Sequence, residues 1–340
     1  MEKIKLLGVK LNNVCNLNCE MCGQKKQISN KKYIDKNILK IVVQQLQEVE
    51  KYFEVYLWGG EPFLHPDFFD ICKDLTDMHL KVTVNTNGTK LYKYADEICN
   101  SRIMRVIVSI DGTRELHNQI RRADVYDEIV DGIKKIKRER KILPFLTSNT
   151  VITERNYAYL PQIVDTIFSI GIEFIEVQLP IFFTEKEGKN YEKWCLYNCK
   201  VFGDSWKGFL GDYSRIDVSK LTSDIESLKK IYKQRIHFVP NILSKDIQAY
   251  FSSTIQCKDN NICMACTHQI RIEADRSIVV CPDFPDIVMG NIYKENILSI
   301  MSKEPYCSIR EKLAIAPQHS LCHKCLFRYE NSNKSIESTI

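Results

Sequence analysis

The chain has 340 residues, 44% of them hydrophobic and 27% charged, which is the balance of an ordinary globular protein long enough for one large domain and a smaller appendage. Its 48 basic and 43 acidic side chains leave a formal charge of +5, and the basic run Lys134, Lys135, Lys137, Arg138 and Arg140 has no interleaved aromatic residues, so it reads as a solvated helix face and no nucleic-acid partner is expected. No apolar run reaches the roughly eighteen residues of a membrane span, and MEKIKLLGVK lacks the apolar stretch and cleavage site of a signal peptide, so no membrane contact and a cytoplasmic location are expected.

In chain order, β-branched runs predict strands at 5–11, 53–58, 81–85, 104–110, 145–152 and 173–179. Amphipathic helices separate them, with Ile38, Ile41, Val42 and Leu46 on one stripe and Ile129, Ile133 and Ile136 on another. Six βα units in succession predict an α/β fold, a parallel sheet curved into a partial (βα)6 TIM-like barrel, since six are too few to close an eight-stranded one. This core is expected over 1–180, a helical connecting region over 181–250, and a small cysteine-rich C-terminal domain over 251–330. That last region holds a hairpin at 269–281 and a helix at 295–302, and the polar tail 331–340 follows.

Fourteen cysteines in a chain without an export signal point to metal ligands where they cluster and to small buried side chains where they stand alone. Cys15, Cys19 and Cys22 stand in VCNLNCEMC directly after the first predicted strand. Three thiolates on one loop can hold three irons of a cubane and leave the fourth iron open, whereas a structural zinc needs a fourth Cys or His, and none is adjacent. Further motifs follow at successive strand ends: Gly59, Gly60, Glu61 and Pro62 in LWGGEP, then Asn85–Gly88 in NTNG with Asn87 at its centre, then Ser109 and Asp111 in SIDG, then Arg121 closing LHNQIR. The glycines permit close backbone approach, a carboxylate can accept from an ammonium, and a guanidinium suits a carboxylate.

This ordered set resembles the radical S-adenosylmethionine (SAM) superfamily. The resemblance implies that Cys15, Cys19 and Cys22 hold a 4Fe-4S cluster whose open iron is chelated by the methionine end of SAM. It implies that Met21 lies along the adenine, that Gly59, Gly60 and Glu61, with Pro62 and Asn87 beside them, receive the amino group, and that Ser109 and Asp111 lie near the ribose or carboxylate. Arg121 would pair with the carboxylate, and the end of the sixth strand, Val177, Gln178 and Leu179, would close over the adenine. Family members often carry His-Asp where this chain has His117 and Asn118, which bears on how Arg121 is oriented. One electron delivered through such a cluster cleaves SAM to a 5′-deoxyadenosyl radical. A reductase, flavodoxin or ferredoxin would be the electron donor.

The carboxy-terminal cysteines, Cys263, Cys266, Cys281, Cys322 and Cys325, with Gly290-Asn291 between, resemble the SPASM and shorter "twitch" extensions of the same superfamily, which implies one auxiliary 4Fe-4S cluster. Cys281, Cys322 and Cys325 are the first choice of ligands, and Cys263, Cys266 or the more remote Cys257 completes the set. The Cys263–Cys266–Cys281 spacing also resembles the molybdenum-cofactor cyclases, in which three cysteines leave an iron open to substrate. Two CxxC pairs are equally the pattern of a structural zinc.

Cys72, Cys99 and Cys307 read as buried small hydrophobes, and the histidines, His319 and His323 among them, as ordinary. Cys195 and Cys199, four apart on one helical face near Trp194 and Trp206, are the candidate catalytic thiols, able to donate hydrogen to a substrate radical. The expected activity is hydrogen abstraction from a small hydroxyl-rich molecule, leading to dehydrogenation, epimerisation or elimination. The alternative is maturation of a ribosomal peptide, disfavoured because only fourteen residues precede Cys15 where many such enzymes carry a peptide-binding module. A third reading is a non-catalytic iron-sulfur or zinc protein.

Overall fold

The computed structural model describes residues 3–24, 30–256, 262–315, 317 and 319–329. Cys257 and the tail 331–340 lie outside the described residues. Strand and helix alternate through the first half: β1 Leu6–Asn12, α1 Lys36–Gln47, β2 Glu54–Gly59, α2 Phe68–Asp77, β3 Lys81–Thr86, α3 Ala95–Asn100, β4 Arg105–Ser109, α4 Arg114–Arg121, α5 Tyr126–Glu139, β5 Phe145–Val151, α6 Leu160–Ser169 and β6 Phe174–Gln178. There follow α7 Glu185–Cys199, α8 Val218–Tyr232, β7 Ile236–Val239, α9 Ile247–Phe251, α10 Met264–His268, β8 Gln269–Ile272, β9 Ser277–Val279, β10 Val288–Asn291, α11 Ile297–Ser302, α12 Tyr306–Ile315 and α13 Leu326–Tyr329.

Ten strands form one sheet in the order β10-β9-β8-β1-β2-β3-β4-β5-β6-β7, parallel from β8 through β7 and antiparallel only in the terminal hairpins. Two features go beyond the sequence expectation. The stretch expected to be helical contributes a seventh barrel strand, β7, and the cysteine-rich hairpin pairs with β1 to extend the main sheet, where a detached domain was expected. The parallel core is a partial barrel with an unpaired edge at β7.

The sequence dictates which face of this sheet is buried. In β2, β4 and β6 the side chains alternate strictly, with Val55, Leu57, Val106, Val108, Ile175 and Val177 at 0% exposure and their neighbours only half-buried. The aliphatic set packs under the helices, whose inward stripes include Leu39, Val42, Val43 and Leu46 of α1 and Ile129, Ile133 and Ile136 of α5. The other set faces the barrel interior and is polar: Tyr56, Trp58, Asn85, Ser109, Asn149, Glu176 and Gln178, in register with Lys10 and Gly8 of β1 and His237 of β7. The α1 helix starts at Asp35, whose carboxylate accepts from the Asn37 and Ile38 amides, and α7 starts in a Thr184–Glu187 capping box.

Candidate functional site

The loop after β1 is fixed before any metal is considered. A Cβ on Gly60 would lie 2.1 Å from the Val14 carbonyl oxygen, so only glycine lets the β2 end run against the cysteine loop. The Gly60 and Glu61 amides donate to the carbonyls of Asn12 and Val14, at 2.9 and 2.7 Å. Within the loop the Cys22 amide donates to the Cys19 carbonyl at 3.4 Å, a turn that carries the two thiols together, and Cys266 with Cys263 and Cys325 with Cys322 repeat that bond at 3.1 and 3.4 Å.

Donors from other strand ends point at these sulfurs. Asn87 Nδ2 approaches Cys15 Sγ at 3.8 Å and donates to Asn16 Oδ1 at 3.0 Å, the Leu17 amide donates to Cys15 Sγ at 3.4 Å, and Arg121 Nη1 donates to Cys19 Sγ at 3.6 Å. Burial pushes the Cys15 and Cys19 thiols up, and Arg121 partly opposes this at Cys19. Cys22 is exposed, and Met21 beside it is half-buried. Such N–H groups favour thiolate, the form an iron-sulfur cluster requires, so the trio suits a cubane by its donor chemistry; among the described residues no three His, Cys, Asp or Glu side chains are gathered as round a single metal ion.

Arg121 also forms a buried ion pair with Asp111, Nη2 to Oδ2 at 2.5 Å, while the Val151 amide donates to Asp111 Oδ1 at 2.8 Å. Its Nε is buried without a hydrogen-bond partner. Asn118 does not reach the arginine: its side chain closes the turn into α5 by accepting from the Val125 and Tyr126 amides and donating to Asp124. Ser109 and Gln178 lie half-buried on the interior face and Leu179 is buried at the exit of β6.

Glu61 departs from expectation. Its carboxylate is turned inward, fully buried, and accepts from Thr86 Oγ1 at 2.7 Å and from the Asn87 and Phe63 amides at 2.7 and 3.2 Å. Two of these bonds tie the β2 end to the NTNG turn, and the third closes the turn at Phe63. Burial pushes Glu61 up to about 7 from an ordinary 4.5. Between those values the folded chain keeps a proton that the unfolded chain has released, so Glu61 makes stability fall as pH rises from about 4.5 to about 7, with no further loss above. Glu61→Gln should flatten that slope in urea titrations. Relative to the parent, the variant should therefore gain stability as pH rises from about 4.5 to about 7.

The five carboxy-terminal cysteines, Cys263, Cys266, Cys281, Cys322 and Cys325, surround one small cavity between α7, the β9 end and the turn before α13. Burial holds the thiols of Cys281 and Cys325 well above their usual range, while Cys263 is lowered by its contact with Cys266. His319, read as ordinary from sequence, borders this cavity too, with its ring 3.6 Å from Cys322 Sγ and held between Tyr191 and Trp194. Lys324, inside the last CxxC, is 1% exposed; it donates to the Phe182 carbonyl at 3.2 Å and to Ser253 at 2.7 Å, and so locks the cavity to the segment leaving β6.

Cys195 and Cys199 correct an expectation. Cys195 is fully buried in a second apolar core with Tyr191 and Trp206, pushed up to about 12 by burial, and neither thiol borders a cavity described in this section. Both pack against this second core.

Between the two cysteine sites lies a cavity of about 340 Å³. Its walls are the inner face of β1 and the β8–β9 hairpin (Lys10, Glu273, Asp275), the cysteine loop at Gly23, and a turn at Asp204–Gly208. Gly8 lets Arg271 lie across the neighbouring interior face, since a Cβ there would sit 2.2 Å from its Nη1. The Trp58 indole Nε1, Asn85 Oδ1 and Asn149 Oδ1 are buried on this face without partners.

The sequence profile of the radical SAM superfamily matches residues 9–167, and that of an iron-sulfur cluster-binding domain matches residues 263–326. The chain belongs to the radical SAM superfamily. Members carry a 4Fe-4S cluster and SAM, and the second match adds auxiliary iron-sulfur binding, which displaces the zinc reading of the carboxy-terminal cysteines. Among relatives, the chain is 22% identical over 281 residues to a probable GTP 3′,8-cyclase of Pyrococcus abyssi (81% of this chain, 83% of the relative). It is 26% identical over 314 residues to that of Sulfurisphaera tokodaii (90% and 91%). The fold matches Streptococcus suis SuiB bound to S-adenosylmethionine with a TM-score of 0.66 at 16% identity, covering 91% of this chain and 68% of SuiB. Among the described residues no helix is long and apolar enough to cross a membrane.

Proposed function

We propose that this radical SAM enzyme abstracts hydrogen from a small, polar, hydroxyl-rich molecule held in the cavity between its two cysteine sites. The observation that carries this reading is a polar-lined 340 Å³ cavity that touches the first cysteine loop at Gly23 and the segment around Cys281 at Val279, Pro285 and Asp286. That volume is at the small end of the roughly 300–1,000 Å³ of ligand sites. Cys15, Cys19 and Cys22 hold the first cluster, and Arg121, whose Nε has no partner within the protein, receives the SAM carboxylate. Met21, Gln178 and Leu179 border the adenine, and Ser109 and Asp111 approach the ribose from the β4 end. The reduced cluster with SAM on its open iron supplies a 5′-deoxyadenosyl radical. The chain itself orients the substrate through the charged and polar side chains of the cavity wall. Cys263, Cys266, Cys281, Cys322 and Cys325 would hold the auxiliary cluster, which would supply an electron acceptor or donor for the substrate, with a flavodoxin, a ferredoxin or a reductase as the external partner.

The test is anaerobic reconstitution, reduction and assay for 5′-deoxyadenosine. Clusters verified by iron analysis and no cleavage would remove the enzymatic reading, and turnover of a short peptide in place of a small molecule would replace the substrate class. Reconstituted protein should carry about eight irons. Cys281→Ala should lower this by about four and spare SAM cleavage while abolishing substrate turnover; normal turnover would leave the auxiliary site without a part in the reaction.

A further inference from the structure

We propose that the cavity between the two cysteine sites selects a substrate bearing an ammonium group and rejects one bearing phosphates. This rests on reading that cavity as the substrate site and adds the charge of what it takes.

The cavity's charged lining is three lysines and four carboxylates. Each lysine is already engaged: Lys10 with Glu273 at 3.0 Å, Lys32 with Asp275 at 3.6 Å, and Lys207 with Asp204 at 3.4 Å and Glu192 at 3.8 Å. The Lys10–Glu273 pair is almost fully buried, 4% and 11% exposed at the side chains, so its cation is not available without stranding a buried carboxylate. The fourth carboxylate, Asp286, has no cation. It accepts from Tyr191 Oη at 2.9 Å, from the Asp204 and Ser205 amides at 3.2 Å each, and from the Ser205 hydroxyl. Among the described residues no lysine, arginine or histidine pairs with it. Four hydrogen bonds keep it in place, and none of their donors is a charged side chain.

Phosphate sites need the reverse, surplus arginine or lysine or a set of free backbone N–H groups. In this cavity the two amides at the 204–205 turn are taken by Asp286 itself. The nucleotide in the name of the cyclase relatives would bring several phosphates against that uncompensated charge. An amino sugar or a similar amine-bearing polyol would bring its ammonium toward Asp286, with hydroxyls to meet the polar side chains of Asn13, Ser205 and Ser277 on the same wall.

The test uses reconstituted protein with SAM bound and three probes of one ring size: glucosamine, glucose and glucose 6-phosphate, measured by calorimetry at low and moderate salt. Glucosamine should bind about tenfold more tightly than glucose and lose that margin as salt rises, and glucose 6-phosphate should bind most weakly. Asp286→Asn should erase the margin. Because Asp286 also anchors the 204–205 turn, Asp275→Asn at the exposed Lys32 pair is the second variant, expected to cut the margin and raise phosphate binding with the fold intact. Equal binding of glucosamine and glucose, tighter binding of the phosphate, or binding of none of the three overturns the inference. The outcome is separable from that of the proposed function: 5′-deoxyadenosine formed by a protein that prefers the phosphate removes only the charge selectivity. Selective amine binding without SAM cleavage removes only the enzymatic reading.

Discussion

Replacing Cys19 by alanine is expected to abolish SAM cleavage completely and to lower the iron content by about four atoms per chain. Cys19 is the most enclosed of the trio, 8% exposed. The loop around it is pinned on both sides, through the Glu20 amide to the Ile120 carbonyl at 3.0 Å and through Arg121 to the sulfur. No other thiol stands in this loop to substitute, since Cys15 is held by Asn87 and Cys22 points to the surface. With two thiolates the cubane has no third anchor, and the SAM site loses the iron it is built around. Cys72→Ala is the matched control: that thiol is fully buried in the helix-side core, its removal leaves only a small cavity, and iron content and cleavage should be unchanged. Iron analysis, ultraviolet-visible spectra and 5′-deoxyadenosine assays on the two variants give the answer. A Cys19→Ala protein that still cleaves SAM would place the cluster elsewhere.

The parts of this molecule that could be read from sequence are those fixed by local spacing. The CxxxCxxC loop, the strand-end glycines and the βα alternation each follow from what a few adjacent residues can do. The interior face was missed although its signal was present. Strands VYLWG, VTVNT and RVIVS alternate apolar with polar residues, whereas a parallel strand covered on both faces reads as a continuous apolar run. That alternation is the mark of a polar interior, and it would have singled out Trp58 and Asn85. Other features depend on pairings between distant segments. The β8–β9 hairpin joins the main sheet through β1, Lys324 reaches back to Phe182 over 142 residues, and Asp286 holds the 204–205 turn. IHFV, only four residues long after a lysine-rich helix, has too little periodicity to declare itself as β7. Glu61 shows the opposite failure: the motif was found, and the direction its side chain takes was decided by donors from β3, which lie 25 and 26 residues further along.

The Asp111–Arg121 pair allows stability and ligand binding to be separated. Arg121→Leu should destabilise the fold by roughly 3–5 kcal/mol, because it leaves the fully buried Asp111 carboxylate with only the Val151 amide as donor. Burial already pushes Asp111 up against the opposing pull of the arginine, so the unpaired variant should take up a proton at higher pH than the parent. Asp111→Asn together with Arg121→Leu removes both charges, keeps an acceptor for Val151, and should recover most of that loss. SAM affinity should not follow. The guanidinium has one nitrogen on Asp111, one toward Cys19 and a third, Nε, unpartnered in the protein, and only the arginine can supply that third donor. Urea midpoints and SAM-induced spectral changes measured on the same preparations should therefore diverge, with stability restored and binding still absent in the double variant. If binding returned together with stability, Arg121 would be a structural partner of Asp111 and the SAM carboxylate would have to be held by another residue.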